Sequence, residues 1–106
     1  MTRKSEANIQ NAICDYLAIR KHFFYRNNNT PIFDPIGKRF RAMPKYTPKG
    51  ISDIIVVHIG RPYFLEVKSP KSYQSPEQKE FQKRAEAAGA HYAVVRSIED
   101  VQALGL

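Results

Sequence analysis

The 106-residue sequence predicts a single α/β domain, spanning residues 1–106, with a mixed, mainly antiparallel-centred sheet flanked by helices. Three observations lead there. The N-terminal segment repeats apolar residues at helical spacing. Two β-branched and aromatic runs then follow one another across a glycine turn. Last, a capped helical segment leads into a further strand. The element order is α, several β, α, β, α, without repeats or low-complexity stretches.

The first helix is expected from Ser5 to about Lys21, because Ile9, Ile13, Tyr16 and Leu17 recur on one face. Glu6 lies three residues before Ile9 and continues that apolar stripe, so its carboxylate faces the body of the protein; complementing the helix dipole is the simpler alternative. His22 to Arg26 is a short aromatic strand ended by Asn27-Asn28-Asn29. Pro31-Ile32-Phe33 and Lys38-Arg39-Phe40-Arg41 flank Asp34-Pro35-Ile36-Gly37, which is good turn chemistry for a basic hairpin arm. Ile51 to Ile59 is nearly continuous in apolarity, as a central strand should be. Gly60-Arg61 is expected to turn the chain into a partner strand, Pro62 to Lys68. Ser75-Pro76-Glu77-Gln78 is a capping box with proline at the first helical position, and Gly89 ends that helix. His91 to Arg96 is a further strand, and Ser97 starts a short final helix.

Charge is unevenly distributed. The net charge is +7, and residues 1–50 carry all of it, with ten basic and three acidic residues; residues 51–106 hold seven of each. Arg20, Lys21, Arg26, Lys38, Arg39, Arg41, Lys45 and Lys49 stand against Asp34 alone, interleaved with Phe23, Phe24, Tyr25, Phe33, Phe40 and Tyr46. Such a segment suits a polyanion with stackable bases. It equally describes a solvated basic loop with core aromatics. One cysteine, Cys14, excludes an internal disulfide and a cysteine-rich zinc site. No apolar run approaches the roughly 18 residues of a membrane span, and Met1 to Glu6 contain no apolar signal core. A cytoplasmic, reduced protein is the expectation.

Three charged residues interrupt the two central apolar strands: Asp53, Glu66 and Lys68. Side chains alternate along a strand, so Glu66 and Lys68 share a face with Phe64. With Gly60-Arg61 as a two-residue loop, Asp53 lies opposite Lys68 and Ile55 opposite Glu66, which brings all three charges to one patch. Two adjacent carboxylates repel unless a cation or proton joins them. Oxygen ligands without thiol or imidazole favour Mg²⁺ or Mn²⁺. Such a metal binds a phosphate oxygen and lowers the pKa of water, and a lysine beside it stabilises negative charge on phosphorus. These are the parts of a phosphodiester hydrolase. An Asp53–Lys68 ion pair with a solvated Glu66 is the plainer reading of the same spacing.

Asp53 followed by Glu66-Val67-Lys68 resembles the pattern of the PD-(D/E)xK phosphodiesterase superfamily. Gly50-Ile51-Ser52-Asp53 is similar to the Gly-x-Pro-Asp signature of its virus-type replication-repair nuclease (VRR-NUC) branch, with Ser52 in place of proline. Gln78 and Phe81, the run Ala87 to Ser97, and the N-terminal helix bearing Glu6 are similar to that branch too. The resemblance covers nearly the whole chain. It implies a restriction-endonuclease-like αβββαβ core. It also implies Asp53, Glu66 and the Val67 carbonyl as metal ligands, Lys68 as catalytic lysine, Glu6 as an auxiliary acid and Gln78 as a polar residue approaching the site. Gln78 has its capping explanation as well. Standalone members of the branch resemble Holliday-junction resolvases, are often phage-encoded and are typically homodimers, so a bacterial or phage-infected cell is the implied setting. The expected activity is metal-dependent cleavage of branched or flapped DNA, selective for structure because backbone contacts carry little sequence information.

The alternatives are a non-catalytic nucleic-acid-binding module, a structural partner in a larger complex, and a nuclease directed at RNA, which no local motif separates from DNA. His22, His58 and His91 are scattered along the chain and offer no rival mechanism. No glycine-rich phosphate loop is present, so no nucleotide cofactor is expected. Ser69 and Ser75 lack the base that a serine nucleophile needs.

Overall fold

Ser5 begins the architecture by accepting a hydrogen bond from the Asn8 N–H at 3.1 Å, which caps α1 (Glu6–Ile19). The computed structural model describes residues 5–27, 33–40 and 45–106. Ile9, Ile13 and Leu17 form the buried stripe of α1. The helix stops at Arg20 and Lys21, whose φ of 60° reverses the chain into β1 (Phe23–Arg26). β2 (Phe33–Asp34) and β3 (Arg39–Phe40) pair antiparallel as a separate two-stranded hairpin, with Asp34 opposite Arg39. The expected basic arm is therefore a hairpin, turning over Pro35 to Lys38.

The main sheet comes next, with β4 (Ile54–His58), β5 (Arg61–Val67), the crossover helix α2 (Pro76–Ala87) and β6 (His91–Val95); α3 (Ile98–Gln102) follows. Strand order is β1-β4-β5-β6. β1/β4 and β4/β5 are antiparallel, and β5/β6 is parallel across α2. Setting aside the β2–β3 hairpin and α3, the order is αβββαβ. One sheet face packs on α1 and α3 through Ile54, Val56, Leu65, Val67, Val95, Val101 and Leu106. The other receives α2, whose Phe81 lies edge-on to Phe64 and tilted against Tyr92.

The β4–β5 turn differs from the expected one. Its two central residues are Ile59 and Gly60, both with positive φ (48° and 74°), and the register pairs His58 with Arg61 and Ile54 with Leu65. Positive φ at both positions matches the twist of a two-residue hairpin, and only the second is the glycine that this geometry favours. Continued one step beyond Ile54, this register sets Asp53 across from Glu66 instead of Lys68. The shift is two residues, so each side chain keeps its expected face.

Candidate active site

Asp53 lies in a bend just before β4, where the regular ladder gives way. Its N–H donates to the Leu65 carbonyl at 3.1 Å, and its Oδ2 accepts from the Val67 N–H at 2.8 Å, so a side chain replaces a ladder carbonyl. Asn27 fixes this bend from the end of β1. Its side-chain amide donates to the Ser52 carbonyl and its N–H to the Asp53 carbonyl, each at 2.8 Å. Ser52 is fully buried and donates its hydroxyl to the Ile54 carbonyl at 3.3 Å.

Glu66 occupies the α2 face of β5 and is buried, at 3% exposure. Its Oε1 accepts from the Gln78 side-chain amide at 2.9 Å and lies 3.8 Å from Lys68 Nζ. Its Oε2 is buried without a hydrogen-bond partner. Burial pushes the carboxyl up to about 8. The negative charge of Asp53 adds to this, Lys68 opposes it, and Glu6 contributes a smaller push. The plainer ion-pair reading does not match this geometry, because Lys68 pairs with Glu66 and Glu66 is not solvated. Val67 alternates with its neighbours: the Lys68 N–H points to β6, donating to the Val95 carbonyl at 3.0 Å. The Val67 N–H and C=O accordingly leave the strand on the Asp53 side.

Glu6 reaches the same region from the start of α1, where its Oε1 accepts from the Ser69 N–H at 3.4 Å. Gln78 performs both of its expected roles. Its amide oxygen accepts from the Ser75 N–H at 2.9 Å and its backbone N–H donates to Ser75 Oγ at 3.2 Å, while its amide nitrogen holds Glu66. Tyr92 completes the face; burial foremost pushes its phenol up to about 12, and its oxygen accepts from the Gln74 amide at 3.3 Å.

Two supports of the site are not legible in the sequence. Asn27 reads there as the end of a strand, and nothing local reveals its two bonds to the Ser52-Asp53 backbone. Gly50 reads only as part of a motif. Its φ is 72°, and a Cβ placed on it would stand 2.4 Å from the Glu77 carbonyl oxygen and 2.7 Å from the Gln78 nitrogen. Only glycine lets the Asp53 loop seat directly on the first turn of the helix that carries Gln78.

The basic residues do not form one surface. Arg26 donates to Asn11 Oδ1 at 3.5 Å, close to the Asp53 end of β1. Lys49 shares a cleft with Pro76, Glu77, Glu80, Phe81 and Arg84 of α2. Lys45 lies 5.2 Å above the ring of Tyr46, and Lys38 is exposed in the β2–β3 turn. Arg20 and Lys21 precede β1 at the opposite end of the sheet, where Arg20 Nε donates to the Leu106 carbonyl at 3.4 Å and His22 Nε2 lies 2.7 Å from it. Arg39 lies on β3, and Arg41 is outside the described residues. The histidines, scattered in sequence, gather in space. His22 meets His58 edge-on at 5.2 Å, and Tyr63 lies between His58 and His91, stacked on the latter at 4.4 Å.

Among the described residues, no three of His, Cys, Asp and Glu lie together as a metal-binding group. Asp53 and Glu66 with one backbone carbonyl are a different donor set. It fits a hard divalent cation: the donors are all oxygen, two carboxylates face each other, and one buried oxygen lacks a partner.

No protein-family model and no curated protein matches the sequence. Solved structures do. One described as a VRR_NUC domain is 21% identical, covers 93% of this chain and 91% of its own, and superposes with a TM-score of 0.65. Another, a VRR_NUC domain protein, is 20% identical, covers 97% and 86%, and gives 0.69. The small mixed sheet flanked by helices, with its acidic bend at β4 and its Glu-Val-Lys end to β5, therefore has the VRR_NUC fold.

Proposed function

We propose that this chain is a Mg²⁺- or Mn²⁺-dependent endonuclease that hydrolyses phosphodiester bonds in branched or flapped DNA, acting as a homodimer. The observation that carries the reading is the convergence of Asp53, Lys68 and the buried, half-partnered Glu66 on one end of the sheet. Its fold neighbours are described as VRR_NUC domains, which supports the same reading. Asp53, Glu66 and the Val67 carbonyl would hold the cation. When bound, it supplies Lewis acidity and a more acidic water.

The chain's own residues do the rest. Gln78 fixes Glu66 through one carboxylate oxygen and leaves the other free to ligate. The Val67 N–H fixes Asp53 in the same way. Lys68, 12% exposed and 3.8 Å from Glu66, offers a positive charge at the mouth of the site. There it can hold a phosphate oxygen or orient the attacking water as negative charge develops. Glu6 stands at the rim as an acceptor for a proton or a second water.

The test is incubation of labelled linear, flapped and four-way-junction DNA, and of the matching RNA, with Mg²⁺, Mn²⁺ or EDTA. Metal-dependent cutting is expected from the parent and not from Asp53→Ala or Lys68→Ala. Salt-sensitive binding without cutting would instead identify a binding module.

A further inference from the structure

The β1–β4 half of the sheet face that carries the site has no helix packed on it among the described residues, because α2 covers only β5 and β6. Phe23 and Tyr25 alternate outward from the edge strand β1 at 70% and 51% exposure, while Phe24 between them turns into the core. On β4, Val57 pairs with Phe23 and Ile55 with Tyr25, and Val57 is itself exposed. The next position of that face along β4 is Asp53. A strip of two open rings and two aliphatic side chains thus runs along the sheet and ends at the candidate carboxylates.

We infer that this strip is a stacking track for unpaired bases, which leads a single-stranded segment of the nucleic acid to Asp53, Glu66 and Lys68. The inference rests on the nuclease reading above and names the strand state that the site takes. Alternate residues of a strand stand about 7 Å apart, twice the roughly 3.4 Å step of a stacked duplex strand. Two neighbouring bases meet both rings only when they are splayed. A flat sheet face offers no wedge with which to open a duplex, so the substrate must arrive with that segment already unpaired, as a flap or an open junction arm does. Charge favours a polyanion along this edge: no acidic residue occurs between Asp15 and Asp34, and the exposed cations Lys21 and Arg26 stand at the two ends of β1.

The test is fluorescence anisotropy of a labelled single-stranded oligonucleotide and of its duplex. The full chain is used in EDTA, so that binding is read without cleavage. Phe23→Ala and Tyr25→Ala are each expected to weaken single-strand binding on the order of tenfold and to leave duplex binding unchanged. Tyr25→Phe should restore the parent's affinity. The slope of log affinity against log salt should stay the same in all variants, because every phosphate-binding cation is kept. Since both rings are mostly exposed, these variants should melt with the parent, and a thermal scan checks this. Two results would overturn the track: alanine variants that bind the single strand as tightly as the parent, or a parent dimer that dissociates in the variants during sedimentation, which would make the strip a self-association surface. Cutting by the parent with Mg²⁺ or Mn²⁺ tests the nuclease reading separately, so failure of one leaves the other standing.

Discussion

Among the described residues, Glu66 is one whose chemistry folding changes strongly. Its carboxyl rises from an ordinary 4.5 to about 8, so the folded protein holds a proton that the unfolded chain releases. The sign follows: its stabilising share is complete below pH 4.5 and is lost as pH climbs to about 8. Without added metal, the melting temperature should fall across that window, and Glu66→Gln should flatten the fall. The difference is expected to reach several degrees, because each kcal/mol moves a domain of this size by roughly 4–8 °C. Mg²⁺ or Mn²⁺ should raise the parent's melting temperature at pH 8 and leave that of Glu66→Gln unmoved; scanning fluorimetry with and without metal checks both. Lys68→Ala should lower cleavage by at least about a hundredfold with little loss of folding, as expected for a group acting on developing charge. At this scale the sequence is informative about residue identity and silent about environment. Asp53, Glu66 and Lys68 stand out because charges are rare inside apolar strands. That Glu66 is buried with an unpartnered oxygen depends on where α2 lands, which no strand pattern encodes.

At the scale of elements, two turns can be tested by substitution: the β4–β5 turn, at the far end of the hairpin from the site, and the loop before β4 that carries Asp53. Ile59 holds φ 48° with a β-branched side chain, a conformation that costs about 1–2 kcal/mol in most residues. Ile59→Asn places Asn-Gly in the turn and should stabilise the protein by about 1 kcal/mol in urea unfolding. Gly50→Ala should do the reverse. Its methyl meets the Glu77 carbonyl, and a loss of about 1–3 kcal/mol is expected, together with reduced cleavage as Gln78 moves from Glu66. The two roles of Gln78 separate by comparison. Ser75→Ala removes the cap at a cost of about 1 kcal/mol and keeps the Glu66 bond, whereas Gln78→Ala loses both and should cost activity as well. Element types and order are legible because each carries its own periodicity and caps. The β4–β5 register is not, since a glycine beside an arginine and a glycine after an isoleucine make equally short turns. The face assignment survives because side-chain alternation tolerates a shift of two.

Over the whole molecule, what the sequence does not reveal is the gathering of distant segments. A run of basic residues between Arg20 and Lys49 reads as one arm, yet β1 carries Arg20 and Lys21 to one end of the sheet and Arg26 toward the other. Lys49→Ala is therefore expected to weaken DNA binding more than Lys21→Ala, with the salt slope reduced by about one for each phosphate that is no longer neutralised; titrations at several salt concentrations check this. The seat of Gly50 on the first turn of α2 also bears on inheritance. The loop that brings the aspartate and the helix that brings the glutamine meet with no room for a methyl group between them. A lineage that replaced that glycine would have to reseat the helix, and the glutamine would then lose its reason to persist. Among relatives of this chain, the two positions should change together or stay together, as a coupled pair that an alignment can reveal before any variant is made.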